Sequence, residues 1–212
     1  MPKVLVLIPS FNEKSSLLKI LKKIKYNVLV MDDCSTDGTS KVIKKINKND
    51  LKIISNKKNL GYEKNLLKGF QEIFKTDFEY IITFDADGEH DVRDIQRMEK
   101  YLVNNDVDML IGLRKKKNRF VEKIVSLFFK LFYKIEDPLS GFKLYKIKNL
   151  KKIIHEVKNN FFLVDIITIF KKKNYKIETI NINSKISKKR IPRIGNNFFV
   201  RIKILRCISL MI

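Results

Sequence analysis

The sequence predicts an α/β domain with a mostly parallel central sheet flanked by helices, and two observations carry that prediction. Over the first 115 residues, short β-branched apolar runs alternate with segments whose apolar residues recur at helical spacing. Three polar clusters, Asn12-Glu13, Asp32-Asp33 and Asp85 to Asp87, stand where predicted strands end. Strand–helix alternation covers both faces of a parallel sheet. Ligands of such sheets bind beyond the carboxyl ends of the strands.

Val4–Ile8 reads as a buried strand, followed by a helix over Glu13–Ile24 with Leu17, Leu18, Ile20, Leu21 and Ile24 at helical spacing. Val28–Met31 is a second strand ending in Asp32-Asp33. A helix over Thr36–Ile46 follows, with Ser35, Thr36 and Asp37 as capping candidates. Ile53–Ile54 marks a third strand, Tyr62–Phe74 a helix, and Tyr80–Phe84 a fourth strand that breaks at Asp85. Asp91 caps a helix running to about Val103, and Met109–Ile111 is a fifth strand. After the basic break Lys115-Lys116-Lys117-Asn118, the segment Phe120–Ile135 is strongly apolar with Lys123, Lys130 and Lys134 interspersed. It has two readings: a buried core helix, or a helix lying in a membrane interface with its lysines reaching toward headgroups. Asp137–Gly141 is a turn, Phe142–Tyr145 a strand, Leu163–Lys172 a helix and Ile177–Ile182 an alternating strand. Ser184–Asn197 is a polar, basic loop and Phe198–Ile212 is again amphipathic. The expected organisation is one catalytic domain over residues 1–183 and a basic amphipathic C-terminal extension over 184–212.

Composition narrows the class. The 212 residues carry 45 Lys+Arg against 23 Asp+Glu, a formal charge of +22, and 44% are hydrophobic. That apolar content excludes a wholly disordered chain. Cys34 and Cys207 form no CxxC, which excludes a disulfide framework and a zinc cluster. The apolar run Val4 to Ile8 is short for a signal peptide, and no stretch reaches the roughly 18 apolar residues of a spanning helix. The expectation is a cytoplasmic, reduced, globular protein. The charge is uneven: residues 1–142 hold a net +7 and residues 143–212 a net +15. Solvated lysine from a Lys-, Ile- and Asn-rich composition is one explanation. Attraction to a polyanion is the other. Zinc-finger, RNP and KH signatures are absent, so an anionic membrane surface is preferred to nucleic acid as the partner.

The clusters suggest chemistry. In Phe84-Asp85-Ala86-Asp87-Gly88-Glu89-His90, two carboxylates separated by one residue at a strand end repel each other. A hard divalent cation, Mg²⁺ or Mn²⁺, relieves that repulsion and leaves coordination positions for a diphosphate. Such pairs also cap helices and decorate loops. Asp32-Asp33-Cys34-Ser35-Thr36-Asp37-Gly38-Thr39 either accepts hydrogen bonds from ribose or base, or caps a helix through a glycine turn. In Ile8-Pro9-Ser10-Phe11-Asn12-Glu13, Pro9 stiffens the strand exit, and Glu13 either begins a helix or reaches a nucleotide.

Taken in order, IPSFNE, MDDCSTDGT, NLGYEKNLLKG, FDADGEH, DMLIGLR and DPLSGFKLY resemble the family 2 glycosyltransferases of the nucleotide-diphospho-sugar (GT-A) fold. They look most like the polyprenyl-phosphate subgroup, which includes dolichol-phosphate mannosyltransferase. The similarity spans residues 3–146. It implies that Pro9, Phe11, Glu13 and Asp33 line a nucleoside pocket, that Asp85 and Ala86 lie against ribose and diphosphate, and that Asp85, Asp87 and Glu89 hold the metal. Glu89 stands where the family commonly has Gln. The resemblance further implies that Arg114 contacts phosphate, that Arg119 matches a second phosphate-binding arginine, and that Asp137, Ser140 and Lys143 lie near the acceptor. The family's Ser four residues after that second arginine is Lys123 here, and Lys143 replaces a usual Arg. The final third departs most, with Lys189 to Asn196 echoing a basic family segment.

The reaction so implied is metal-dependent, inverting transfer of a sugar from a nucleoside-diphosphate sugar to a polyprenyl phosphate at the cytoplasmic membrane face. A phosphate acceptor is already an anion, whereas a saccharide hydroxyl needs a general base, for which Asp137 is the candidate. Transfer to a saccharide in cell-surface glycan synthesis is the alternative, and a non-catalytic basic nucleic-acid module a distant one. With no appended spanning helix, the expected enzyme is peripheral or relies on a membrane-anchoring partner protein. A dinucleotide fold is excluded by the absence of GxGxxG.

Overall fold

The first apolar run becomes β1 (Val4–Ser10), an inner strand of the sheet that is buried along its whole length, as a strand covered on both faces must be. The computed structural model describes residues 2–115, 120–157 and 162–184, with the backbone alone at 120 and 121. Within them β2 (Asn27–Asp32), β3 (Leu51–Ser55), β4 (Tyr80–Thr83), β5 (Met109–Arg114), β6 (Lys143–Lys146) and β7 (Ile177–Ile182) join β1 in one sheet. The order is β3-β2-β1-β4-β6-β5-β7. All pairings are parallel except the two made by β6, which runs against both β4 and β5.

The alternation within β1 divides the interior. Leu5 and Leu7 enter one apolar core with α3 (Tyr62–Ile73), α5 (Phe120–Tyr133), α6 (Ile147–Ile153) and α7 (Phe162–Lys172). Val4, Val6 and Ile8 enter the other with α1 (Lys14–Leu21), α2 (Thr39–Ile43) and α4 (Arg93–Asn104). Gly69 lets α3 lie close to the sheet, since a Cβ there would stand 2.7 Å from a methyl of Leu7.

The mostly parallel α/β prediction holds, with local departures that include the following. The helix expected over Thr36–Ile46 shrinks to α2, because Gly38 (φ 84°) keeps the chain in a left-handed turn and the Asp37 carboxylate accepts the Thr39 N–H at 2.9 Å. The fifth strand runs three residues further than expected, to Arg114. Helix α6, unforeseen, follows β6 without an intervening breaker. Residues 185–212, which carry nearly all of the expected C-terminal extension, lie outside the described residues.

The reversed direction of β6 shapes the carboxyl edge of the sheet. Its first residue, Lys143, pairs with Thr83 at the end of β4 and with Ile111 of β5. The turn that precedes it, 137–141, therefore arrives at the carboxyl edge of the parallel strands.

Candidate active site

The exits of β1 and β2 are tied into one hydrogen-bonded unit. Asn12 adopts φ 55°, in the left-handed region that asparagine tolerates. Its Oδ1 accepts the Thr36 N–H at 2.8 Å, and its own N–H donates to Ser35 Oγ at 2.9 Å. Ser35 in turn donates to Asp32 at 2.5 Å. Asp37 receives the Lys14 N–H at 3.1 Å, capping α1 from another segment. Partial burial pushes the Asp37 carboxyl up, but its hydrogen bonds from Thr39 and Lys14 outweigh this and hold it below its ordinary value. Glu13 is buried beside this unit and accepts the Ser16 hydroxyl at 2.8 Å. Pro9 is buried within β1, and Phe11 is half-buried.

Asp33 is enclosed, and its carboxylate organises the next loop. Oδ1 accepts Asn56 Nδ2 at 2.9 Å and the Leu60 N–H at 2.8 Å, while Oδ2 accepts the Gly61 N–H at 2.8 Å. Asn56 also donates to Asn65 on α3, and Asn65 donates to the Met31 carbonyl, both at 2.8 Å. Lys68 closes the network on Asn56 Oδ1 at 2.7 Å. Expected as a nucleoside contact, Asp33 is seen fixing the loop that introduces α3. Sequence reasoning misses Asn56, Asn65 and Lys68, although two of them stand in NLGYEKNLLKG.

Beyond β4 lie the acidic pair and its supports. Asp85 Oδ1 accepts the Tyr62 hydroxyl at 3.2 Å, and Oδ2 stands 3.4 Å from His90 Nε2. Gly141 leaves room for this carboxylate, because a Cβ there would approach Oδ2 to 2.2 Å. Burial pushes the Asp85 carboxyl up, but His90, the Tyr62 hydroxyl and the Arg114 charge overcome it and hold the group below its ordinary value. Asp87 goes the other way, pushed up to about 6 by burial and by the neighbouring Asp85 charge. Ala86, between them, is buried. Gly88 (φ 78°) turns the chain so that the Glu89 N–H donates to Asp87 Oδ1 at 2.9 Å.

The expected three-carboxylate metal set is not assembled. Among the described residues no three His, Cys, Asp or Glu side chains gather as an ion cage. Asp87 accepts the backbone N–H of Glu89 and also feels the Glu89 charge. The pair Asp85 and Asp87 does fit a hard cation: two half-buried carboxylates lie close enough for the Asp85 charge to raise Asp87, and a divalent ion would offset that repulsion while leaving positions for diphosphate and water.

Facing the pair, Arg114 at the end of β5 forms a two-pronged ion pair with Asp137. Its Nε and Nη2 donate to the two carboxylate oxygens at 2.9 and 2.8 Å, and its backbone N–H adds a third bond at 3.1 Å. Glu122 of α5 lies 3.5 Å from the same guanidinium. Burial opposes the Arg114 charge, but Asp137 outweighs it and raises the guanidinium above its ordinary value. Asp137 is buried with φ 51°.

Ser140 and Lys143, both expected near the acceptor, are fully buried. The Lys143 ammonium donates to the carbonyls of Pro138, at 2.9 Å, and Ser140. Burial pushes it down to about 7, against the pull of Asp137. Thr83 secures the same turn by donating to the Gly141 carbonyl at 2.7 Å. Arg119 lies outside the described residues.

The chain matches the Glycosyl transferase family 2 profile over residues 5–176. An uncharacterized protein of Methanocaldococcus jannaschii is 32% identical over 168 residues, covering 70% of this chain and 73% of that protein. The UDP-N-acetylglucosamine–dolichyl-phosphate N-acetylglucosaminyltransferase of Methanococcus voltae is 24% identical over 233 residues, covering 95% and 92%. Glucosyl-3-phosphoglycerate synthase from Mycobacterium tuberculosis, solved with Mn²⁺, UDP and phosphoglyceric acid, superposes with a TM-score of 0.70 at 14% identity, covering 90% of this chain and 72% of that one. This likeness establishes the GT-A fold, and the profile match establishes the rest: the chain is a glycosyltransferase and belongs to glycosyl transferase family 2.

Proposed function

We propose that this enzyme transfers a sugar, with inversion, from a nucleoside-diphosphate sugar to a polyprenyl phosphate at an anionic membrane surface. The observation that carries the reading is the arrangement of Asp85 and Asp87 beyond β4 with Arg114 at the end of β5, close enough for Arg114 and Asp85 to feel each other's charge. The M. voltae relative, named for a dolichyl-phosphate acceptor, supports the same acceptor class.

Expulsion of a nucleoside diphosphate gathers negative charge on the leaving group. Asp85 and Asp87 would hold Mg²⁺ or Mn²⁺, which supplies Lewis-acid neutralisation of that charge. Arg114, already oriented by Asp137, adds a fixed positive group where the charge develops. The acceptor follows from what Asp137 is doing. A hydroxyl nucleophile needs a free base, but Asp137 is buried and engaged with Arg114 through both oxygens. A phosphate monoester attacks as an anion and needs none.

Helix α5 supports the membrane part. Val125 and Phe129 face the core, while Leu127, Leu131 and Phe132 are 59, 68 and 67% exposed. Lys123 and Lys130 are exposed along the same helix. An apolar stripe flanked by lysines suits an anionic interface. No helix among the described residues is long and apolar enough to cross a membrane.

The test is release of UDP from UDP-sugars, with GDP-sugars in parallel, in the presence of Mn²⁺ or Mg²⁺, with and without polyprenyl phosphate. Lipid-dependent release that disappears in D87A is the expected result. Release that depends on a saccharide instead, or a D87A variant with full activity, overturns the reading.

A further inference from the structure

His90 closes the FDADGEH segment, and neither the cation pair nor the Arg114–Asp137 turn accounts for it. It is buried, its ring lying 5.3 Å from the Phe142 centroid and 5.8 Å from that of Phe84. Its Nδ1 is enclosed with no hydrogen-bond partner, so packing alone gives no reason for an imidazole rather than a third phenyl ring. The other nitrogen supplies one. Nε2 stands 3.4 Å from Asp85 Oδ2, the oxygen that the Tyr62 hydroxyl does not hold. That separation is longer than an ordinary N–H···O hydrogen bond, and contacts of this kind often tighten when a site is loaded.

The ring is also held from behind. The His90 backbone pairs antiparallel with Ser184, just past β7. The Asp91 N–H donates to the Asn183 carbonyl at 3.3 Å, and the Asn183 N–H to Asp94 at 2.7 Å. His90 is thus fixed by two aromatic walls and by the strand exit that crosses behind it, with one nitrogen directed at one oxygen of the acidic pair.

We propose that His90 is a positioning residue whose Nε2–H holds the Asp85 carboxylate in the orientation in which Asp85 and Asp87 share a divalent cation. This role rests on the metal-dependent reading of the site. Groups of this kind orient a ligand without touching the ion, and their loss typically weakens metal binding by about 10- to 100-fold.

The experiment uses the full chain and reads Mn²⁺ binding in the presence of UDP by the loss of the aqueous Mn²⁺ paramagnetic resonance signal. H90F keeps an aromatic ring and removes the donor, whereas H90Q keeps an N–H donor and loses the ring. The expected order is wild type, then H90Q within about threefold, then H90F weakened by about tenfold or more. In a D85A background, H90F should add no further loss. The reverse order, with H90F like wild type and H90Q impaired, assigns His90 to packing and overturns the proposal, as does equal binding by all three. Circular dichroism establishes that each variant is folded, and H90L serves as the donor-free variant where H90F does not fold. Failure of wild type itself to bind Mn²⁺ removes the metal reading and this inference together, whereas a binding wild type with an indifferent H90F removes only the inference.

Discussion

The exits of β1 and β2 and the turn before β6 hold their acids in different ways. On the first side, Asp33 and Asp37 are satisfied by backbone N–H groups of Leu60, Gly61, Lys14 and Thr39. On the second, Asp137 is satisfied largely by the Arg114 guanidinium, and the buried Lys143 by carbonyls of its own turn. Amide dipoles are fixed by the fold, so the first arrangement is a rigid cradle. A buried ion pair depends on both partners being present, so the second fails when either is lost. One rim of the proposed site is built from backbone, and the other from charge.

The largest expected effect breaks the charged side. D137A leaves the mostly buried Arg114 uncompensated and should cost about 3–5 kcal/mol in urea unfolding, whereas R114L/D137A should recover part of the loss. A loss below about 1 kcal/mol would place this turn in the same class as the amide cradle. Next is D33N on the cradle side. An amide cannot accept from Asn56, Leu60 and Gly61 at once, and loss of these charge-assisted bonds should cost about 2 kcal/mol, with weaker UDP binding as the loop loosens. L131S should leave the melting temperature unchanged, since Leu131 is 68% exposed. It should weaken binding to anionic vesicles by about tenfold, the equivalent of removing one leucine from an apolar phase; unchanged vesicle binding would remove α5 from the membrane contact. The smallest effect lies away from both sides. Tyr101 and then Lys176 hold the Glu178 carboxyl below its ordinary value of 4.5. A carboxyl lowered in the folded state stabilises above its unfolded value, and that contribution fades as pH falls through the folded value. Y101F should therefore be slightly less stable than wild type at neutral pH, with the gap closing below about pH 4.

Much of the sheet was legible because a strand buried on both faces must be apolar and β-branched, as VLVLIPS and VLVM are. The acidic pair was legible because a strand ended at it. What escaped detection depended on direction and depth. No periodicity reports that β6 runs antiparallel, or that IKNLKKI leaves that strand directly as a helix. Nothing in the sequence marks Lys143 as buried, and the carbonyls gathered around its ammonium are what allow its burial. Asp33 stands out in the sequence, but the amides that engage it are invisible among side chains. The bond from the Glu89 backbone N–H to Asp87 was equally hidden, because it depends on the left-handed turn at Gly88.

One reversed strand has a consequence for how such an enzyme can diversify. Because β6 enters the sheet where its neighbours leave it, residues added or exchanged between Asp137 and Lys143 alter the carboxyl edge, where the proposed site lies, and leave the opposite rim of the sheet untouched. Under the proposed function, selectivity for what receives the sugar could drift by changes in a few consecutive codons while the rest of the scaffold stays as it is.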